Sequence, residues 1–243
     1  MCTVSYIPAG DKIFITSNRD EKLSRKNASA PALSVYNGYK LIYPKDGNAG
    51  GTWIVMKENG DAAVLLNGAF IRHLPDPPYR VSRGIILLDI IATEKPSLTF
   101  SKTDLRDVEP FTIVLLENQN LYEFRWDGNE KFHRQLDAAK PFVWSSATLY
   151  DGFVIKKREQ WFETFLSSYT RPTHLDILNF HRFTGDGDRH NDLLMTRDGI
   201  YSTVSITGIL LTRDRGFMKY IDIKNGRSSE IKIELLHSSH TIE

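Results

Sequence analysis

Thiol chemistry is scarce in this chain: one cysteine, at position 2, among 243 residues. That excludes an internal disulfide and any cysteine-based zinc or iron–sulfur site. No Gly-x-Gly-x-x-Gly, phosphate loop or Gly-x-Ser-x-Gly occurs, so the usual dinucleotide, nucleotide and serine-hydrolase signatures are missing. His73, His133, His174, His181, His190, His237 and His240 show no His-x-x-x-His spacing. Asp186, Asp188 and His190 come nearest to a ligand set, but Gly-Asp-Gly-Asp reads as a loop. No metal and no cofactor is expected. An excess of one charge is also lacking, since Lys+Arg 31 against Asp+Glu 30 leaves +1. Neither nucleic acid nor a membrane surface is suggested as a partner. There is no apolar run of spanning length, and no basic segment leading into an apolar one at the start, so a soluble cytoplasmic protein is the expectation. Repeats, low-complexity stretches and linkers are missing too. Residues 1–243 therefore read as a single domain, long enough to bury a substantial core.

What is present concentrates at the N-terminus. Two short runs rich in β-branched and aromatic residues flank Pro8, Ala9, Gly10 and Asp11, the pattern of a β-hairpin. With the turn near Gly10, antiparallel pairing places residues whose numbers sum to about 19 to 21 opposite each other. Cys2 would then face Ser17 to Arg19. Removal of Met1 would put a thiol nucleophile and an α-amine base on one residue. The amine suits that task with a pKa of about 7.7 to 8.0, against about 8.5 for the thiol. A nearby guanidinium such as Arg19 favours the thiolate further. The plainer reading is a small residue starting a buried strand.

The cluster Asn18, Arg19, Asp20 and Glu21 either closes this arrangement or forms a solvated turn. Arg19 and Asp20 suit binding of a substrate carbonyl or an N-terminal ammonium, but strand alternation sends them to opposite faces. Asn67, at a strand end before Gly68, offers an amide donor to an oxyanion, or is simply a strand-end asparagine. Trp53, after Gly50, Gly51 and Thr52, is a pocket wall or a core residue.

Further along, residues 22–37 read as a loop, 39–43 as a strand, and 52–56 with 62–67 as a hairpin about Asn59-Gly60. Gly50-Gly51 suggests backbone passing close to something. Ser82 is a good N-cap for a helix over 83–92. Segments 112–117, 121–126 and 131–135 form a meander. Phe153, Val154, Trp161, Phe162, Phe165 and Leu166 recur at helical spacing within 150–169, and 175–183 reads as a shorter helix. Strands return at 199–206, 208–213, 217–223 and 229–236. Hairpins at both ends with helices between them predict an α+β fold: two stacked antiparallel sheets flanked by helices.

These residues carry a resemblance. The Met1-Cys2 start, Asn18-Arg19-Asp20-Glu21 with Arg25 after it, Gly50-Gly51-Thr52-Trp53, Leu65-Leu66-Asn67 and Arg83-Gly84 resemble the transport and Golgi organisation family, also called the NRDE family. That family is in turn similar to the N-terminal nucleophile hydrolases, in the branch of penicillin V acylases and conjugated bile acid hydrolases. The resemblance implies a four-layer αββα sandwich and cleavage of a non-peptide C–N amide bond through a thioester on Cys2. It also implies that Arg19 and Asp20 orient amine and substrate, that Asn67 helps form the oxyanion hole, and that Asn18, Trp53 and Ser146 border the substrate. The acylases place an asparagine where this chain has Ser146, and losing one such donor costs about 10²–10³ in rate. Eukaryotic members are associated with secretory-pathway organisation and with haem and lipid handling. The resemblance thus implies two partners in different classes: a small-molecule amide or acyl donor that is turned over, or a hydrophobic ligand such as haem or lipid that is only carried.

Overall fold

The computed structural model describes residues 3–236. In chain order the strands and helices are β1 (Thr3–Ala9), β2 (Lys12–Lys22), β3 (Ala32–Tyr36), β4 (Tyr39–Tyr43), β5 (Ile54–Lys57), β6 (Ala62–Asn67), α1 (Arg83–Ile91), α2 (Pro96–Lys102), β7 (Phe111–Glu117), β8 (Asn120–Trp126), β9 (Lys131–Leu136), β10 (Phe142–Ser145), α3 (Gly152–Ser168), α4 (His174–Phe183), β11 (Thr196–Arg197), β12 (Tyr201–Leu211), β13 (Arg215–Asp222) and β14 (Arg227–Glu234). Strands β3 to β9 pair in sequence order as one antiparallel sheet. The other sheet runs β10-β1-β2-β12-β13-β14, with the short β11 against β12. The second sheet therefore joins the first and last of the described strands.

Strand alternation sorts the side chains into three apolar layers. Val4, Tyr6 and Ile15 meet Ile54, Met56, Val64 and Leu66 between the sheets. The opposite face of the meander sheet, with Val55, Ala63 and Leu65, packs against Leu87, Ile90 and Ile91 of α1 and Phe100 of α2. Ile7 and Phe14 on the outer face of the other sheet pack against Phe162 and Phe165 of α3 and Ile177 and Phe180 of α4. Helices thus cover both outer faces of two stacked antiparallel sheets, the expected αββα arrangement.

Several expectations are corrected. Residues 22–37 are not all loop. β2 runs through Lys22, and β3 turns through Asn37 (φ 48) and Gly38 (φ 85) into β4. As an edge strand β3 needs no buried face, and Leu33 and Val35 stand 51% and 71% exposed. Gly208 does not interrupt β12. It is there because a Cβ would come within 2.4 Å of His174 Nε2 on α4. Phe153 lies outside the buried stripe of α3 at 76% exposure. Ser82 does cap α1, accepting from Ile85 N–H through Oγ at 3.4 Å.

Candidate active site

β1 and β2 form a hairpin with a two-residue turn at Gly10 and Asp11, and Thr3 pairs with Asn18. Cys2 lies outside the described residues. β2 continues as a strand through the cluster, so Asn18, Arg19 and Asp20 alternate between faces. On β12, Thr203 stands opposite Asp20 and Ser205 opposite Arg19, leaving Val204 as an extra residue. This bulge lies level with the cluster, the kind of kink that re-aims side chains beside sites.

Arg19 points between the sheets and is 4% exposed. Its guanidinium lies 4.5 Å over the Trp53 ring and donates from Nη2 to Asp46 Oδ2 at 2.5 Å, with Glu21 at 3.6 Å. Asp46 is the hub of this side. Arg25 grips it with Nε and Nη2, both at 2.9 Å, and the backbone N–H groups of Asn48 and Ala49 donate to it at 3.1 and 2.8 Å. Burial pushes the Asp46 carboxyl up, but the Arg25 hydrogen bonds, the Ala49 amide and the charges of Arg25 and Arg19 together hold it below its ordinary value. The same hydrogen bond raises Arg25.

These groups line a cavity of about 380 Å³ whose other walls come from Trp53, Leu65, Asn67, Tyr79, Val81 and the start of α1. The start of α1 approaches because the facing residue is glycine: a Cβ on Gly51 would fall 2.4 Å from the Gly84 carbonyl carbon. Asn67 ends β6 beside the cavity, its Oδ1 buried and without a partner among the described residues. Ser146, just past β10, is fully buried. Its Oγ donates to the Asn67 carbonyl at 2.8 Å and shares a bond with Thr148 Oγ1 at 2.9 Å. Its hydroxyl thus ties the ends of β10 and β6 together, bracing Asn67, and Ser146 is absent from the cavity wall.

The other face of β2 is sealed. Asn18 was expected at the substrate, yet its Nδ2 donates to the carbonyls of His181 and Leu193 at 3.1 and 2.6 Å. Its Oδ1 therefore faces His181 Nδ1 at 2.5 Å, leaving His181 Nε2 to accept from Ser5 Oγ at 2.8 Å. Burial, with the Arg158 charge nearby, lowers His181 to about 3, so the imidazole is neutral. Asp20 accepts from Tyr150 Oη at 2.9 Å and from Thr203 Oγ1. Arg158, fully buried on α3, lies 3.6 Å from the Tyr150 ring centre, and it donates to Thr3 Oγ1 and to the carbonyls of Asn191 and Asp192.

Sequence reading missed Asp46, Tyr150, Arg158, His181 and Thr203. Asp46 sits in a Pro-Lys-Asp-Gly turn and looked like a turn residue; the hint was a pair of arginines, Arg19 in β2 and Arg25 after it, seeking a carboxylate. Among the described residues no three His, Cys, Asp or Glu side chains gather as a metal site. Asp186 instead pairs with Lys157 at 2.5 Å. No helix among them is long and apolar enough to cross a membrane.

Two sheets face to face between helix layers, with a polar cavity at the end of the first hairpin, define the fold of the N-terminal nucleophile hydrolases. The chain superposes on the Caenorhabditis elegans N-acylethanolamine-hydrolysing acid amidase orthologue with a TM-score of 0.57 at 14% identity, over 86% of this chain and 92% of that one. Against a variant of conjugated bile acid hydrolase from Clostridium perfringens the TM-score is 0.59 at 10% identity, over 99% and 100%. Residues 1–179 match the family model Transport and Golgi organisation 2, and the chain belongs to that family. The Drosophila melanogaster Transport and Golgi organization protein 2 is 31% identical over 127 residues, which is 46% of this chain and 43% of that protein. The match thus spans less than half of that relative's length.

Proposed function

We propose that this protein is an N-terminal-cysteine amidohydrolase or acyltransferase acting in the cytoplasm on a non-peptide C–N amide bond. One observation carries the reading. Thr3, the first described residue, pairs with Asn18, and Arg19, the next residue of β2, lines the cavity with its guanidinium. With Met1 removed, the Cys2 thiolate attacks the amide carbonyl carbon. The C–N bond breaks, and the departing nitrogen takes a proton from the Cys2 α-ammonium. Water then attacks the thioester and gives a proton to the α-amine; a carboxylic acid leaves, and the thiolate and α-ammonium are restored. An amine or alcohol in place of water makes the same step an acyl transfer. Arg19 orients the substrate carbonyl, Asp20 the α-amine, and Asn67 Nδ2 donates to the oxyanion. Trp53 walls the cavity and Asn18 holds the strand in place.

The tie from Ser146 Oγ to the Asn67 carbonyl favours a second reading, a carrier for a hydrophobic ligand such as haem or lipid, because that hydroxyl is withdrawn from the oxyanion. Intact mass before and after a thiol-directed acylating probe, beside Cys2→Ala, separates the two. Loss of one methionine and a single adduct that vanishes in the variant is expected. Retained Met1, or a thiol no faster than free cysteine, overturns the catalytic reading.

A further inference from the structure

Among the described residues six charged side chains line the cavity, Arg19, Arg25 and Arg83 against Glu21, Asp46 and Glu109, and their formal charges sum to zero. Its hydrogen-bonding capacity is not balanced. The carboxylates are committed. Asp46 accepts from two arginines and two backbone amides. Glu109 takes Arg83 at 2.9 Å and His73 at 3.2 Å, and Glu21 takes the Lys22 N–H at 2.9 Å with Arg25 at 3.4 Å.

The donors are only partly used. Among the described residues Arg19 donates through Nη2 alone, and Arg83 gives Nη2 to Glu109 and Nη1 to the Pro110 carbonyl at 3.2 Å. Trp53 is 2% exposed, and its Nε1 has no partner among the described residues. The first turn of the nine-residue α1 opens on the same space through Ser82, Arg83 and Gly84. Ser82 caps the Ile85 N–H, whereas the N–H groups of Arg83 and Gly84 have no partner among the described residues. A helix start of this kind carries a partial positive charge and bare donors. Burial also lowers Arg83 despite Glu109 beside it, a penalty on its charge that a bound anion would relieve.

We infer that the start of α1, with Arg83 and Arg19, binds an anionic oxygen group, a carboxylate, phosphate or sulfonate, carried by the ligand that occupies this cavity. The rest of that ligand lies against Trp53, Leu65 and Val81. The inference rests on the proposed function only in taking the cavity as the ligand site, since binding without turnover satisfies it equally.

The test is isothermal titration of the whole chain and of Cys2→Ala with N-acetylglycine, its neutral isostere N-acetylglycinamide, and inorganic phosphate, repeated for Arg83→Gln. N-acetylglycine is expected to bind at least about tenfold more tightly than the amide, the gain of a charge-assisted hydrogen bond. Phosphate is expected to compete with it, and the preference to vanish in Arg83→Gln. Binding of N-acetylglycine without competition by phosphate narrows the group to a carboxylate; saturable phosphate binding alone narrows it to a phosphate, and either is consistent only if lost in Arg83→Gln. Equal affinity for the neutral isostere, a preference that survives Arg83→Gln, or no saturable binding of either anion overturns the inference. Should Arg83→Gln fail to fold, Arg83→Lys, which keeps the charge but not the fork, is expected to retain part of the preference; an unchanged preference there overturns it. Because Cys2→Ala is silent in the thiol assay, failure of hydrolysis and failure of this site are read separately.

Discussion

Consecutive residues of β2 serve two unlike regions. Asn18 and Asp20 face a region where buried polar groups find protein partners: Ser5, His181, Tyr150, Thr203 and Arg158. Arg19 faces a cavity where carboxylates are saturated and donors are left over. The sealed region even holds Ser5, His181 and Asn18 in hydrogen-bonded series at 2.8 and 2.5 Å, the connectivity of a serine-hydrolase triad. All three are fully buried, so no substrate reaches them. A constellation becomes a site only with access, and here the alternation of one strand allots access to Arg19 and rigidity to its neighbours.

Breaking the sealed side carries the largest expected effect. Arg158→Met strands the carbonyls of Asn191 and Asp192 and the Thr3 hydroxyl, and is expected to lower unfolding free energy by about 3 kcal/mol. Urea denaturation measures it; a loss below about 1 kcal/mol would mean that surface-like contacts, not a buried network, hold α3 there. On the open side, Gly51→Ala forces a Cβ into the Gly84 backbone, 2.4 Å away, and backbone cannot step aside as a side chain can. A cost of about 2 kcal/mol is expected, together with weakened anion binding as α1 is displaced. Unchanged binding would detach the helix start from the ligand site.

Between neutral pH and 5.5 the third effect is the smallest, and it separates the regions by pH. His181 titrates at about 3 when folded against an ordinary 6.5, so the unfolded chain takes up the proton first as pH falls. Stability is therefore full above 6.5 and declines from there toward 3. One such group contributes about 1.4 kcal/mol of loss between neutral pH and 5.5. His174, lowered to about 4 chiefly by burial, adds a decline of the same sign. His181→Gln should flatten the stability–pH curve by one group's share, and an unchanged curve would show that the buried imidazole takes up its proton at the same pH as in the unfolded chain.

Much of the frame was legible because its signals are local. A Gly-Asp turn, two β-branched runs, an Asn-Gly hairpin and a serine before Arg83 each act within a few residues, and the register of β1 on β2 follows from the turn alone. The paired glycines announced a close approach but not its partner, which is Gly84. β3 was lost because an edge strand need not bury either face. Asp46 was lost because a carboxylate in a turn looks the same whether it faces water or two guanidiniums. His181 looked like one scattered histidine among seven.

By itself, then, the sequence determined which residues lie along each strand and which alternate, so that Arg19 had to part from Asn18 and Asp20. Only the tertiary structure decided which side was to be closed. Arg158 reaches Thr3 from 155 positions away and His181 reaches Asn18 from 163. Such contacts depend on where α3 and α4 settle on the sheet, and that is set by the packing of Phe162, Phe165, Ile177 and Phe180 against Ile7 and Phe14. Apolar burial is non-directional. It fixes that a helix layer covers this face, while the polar groups it happens to bring together decide that this face is sealed and the other left open.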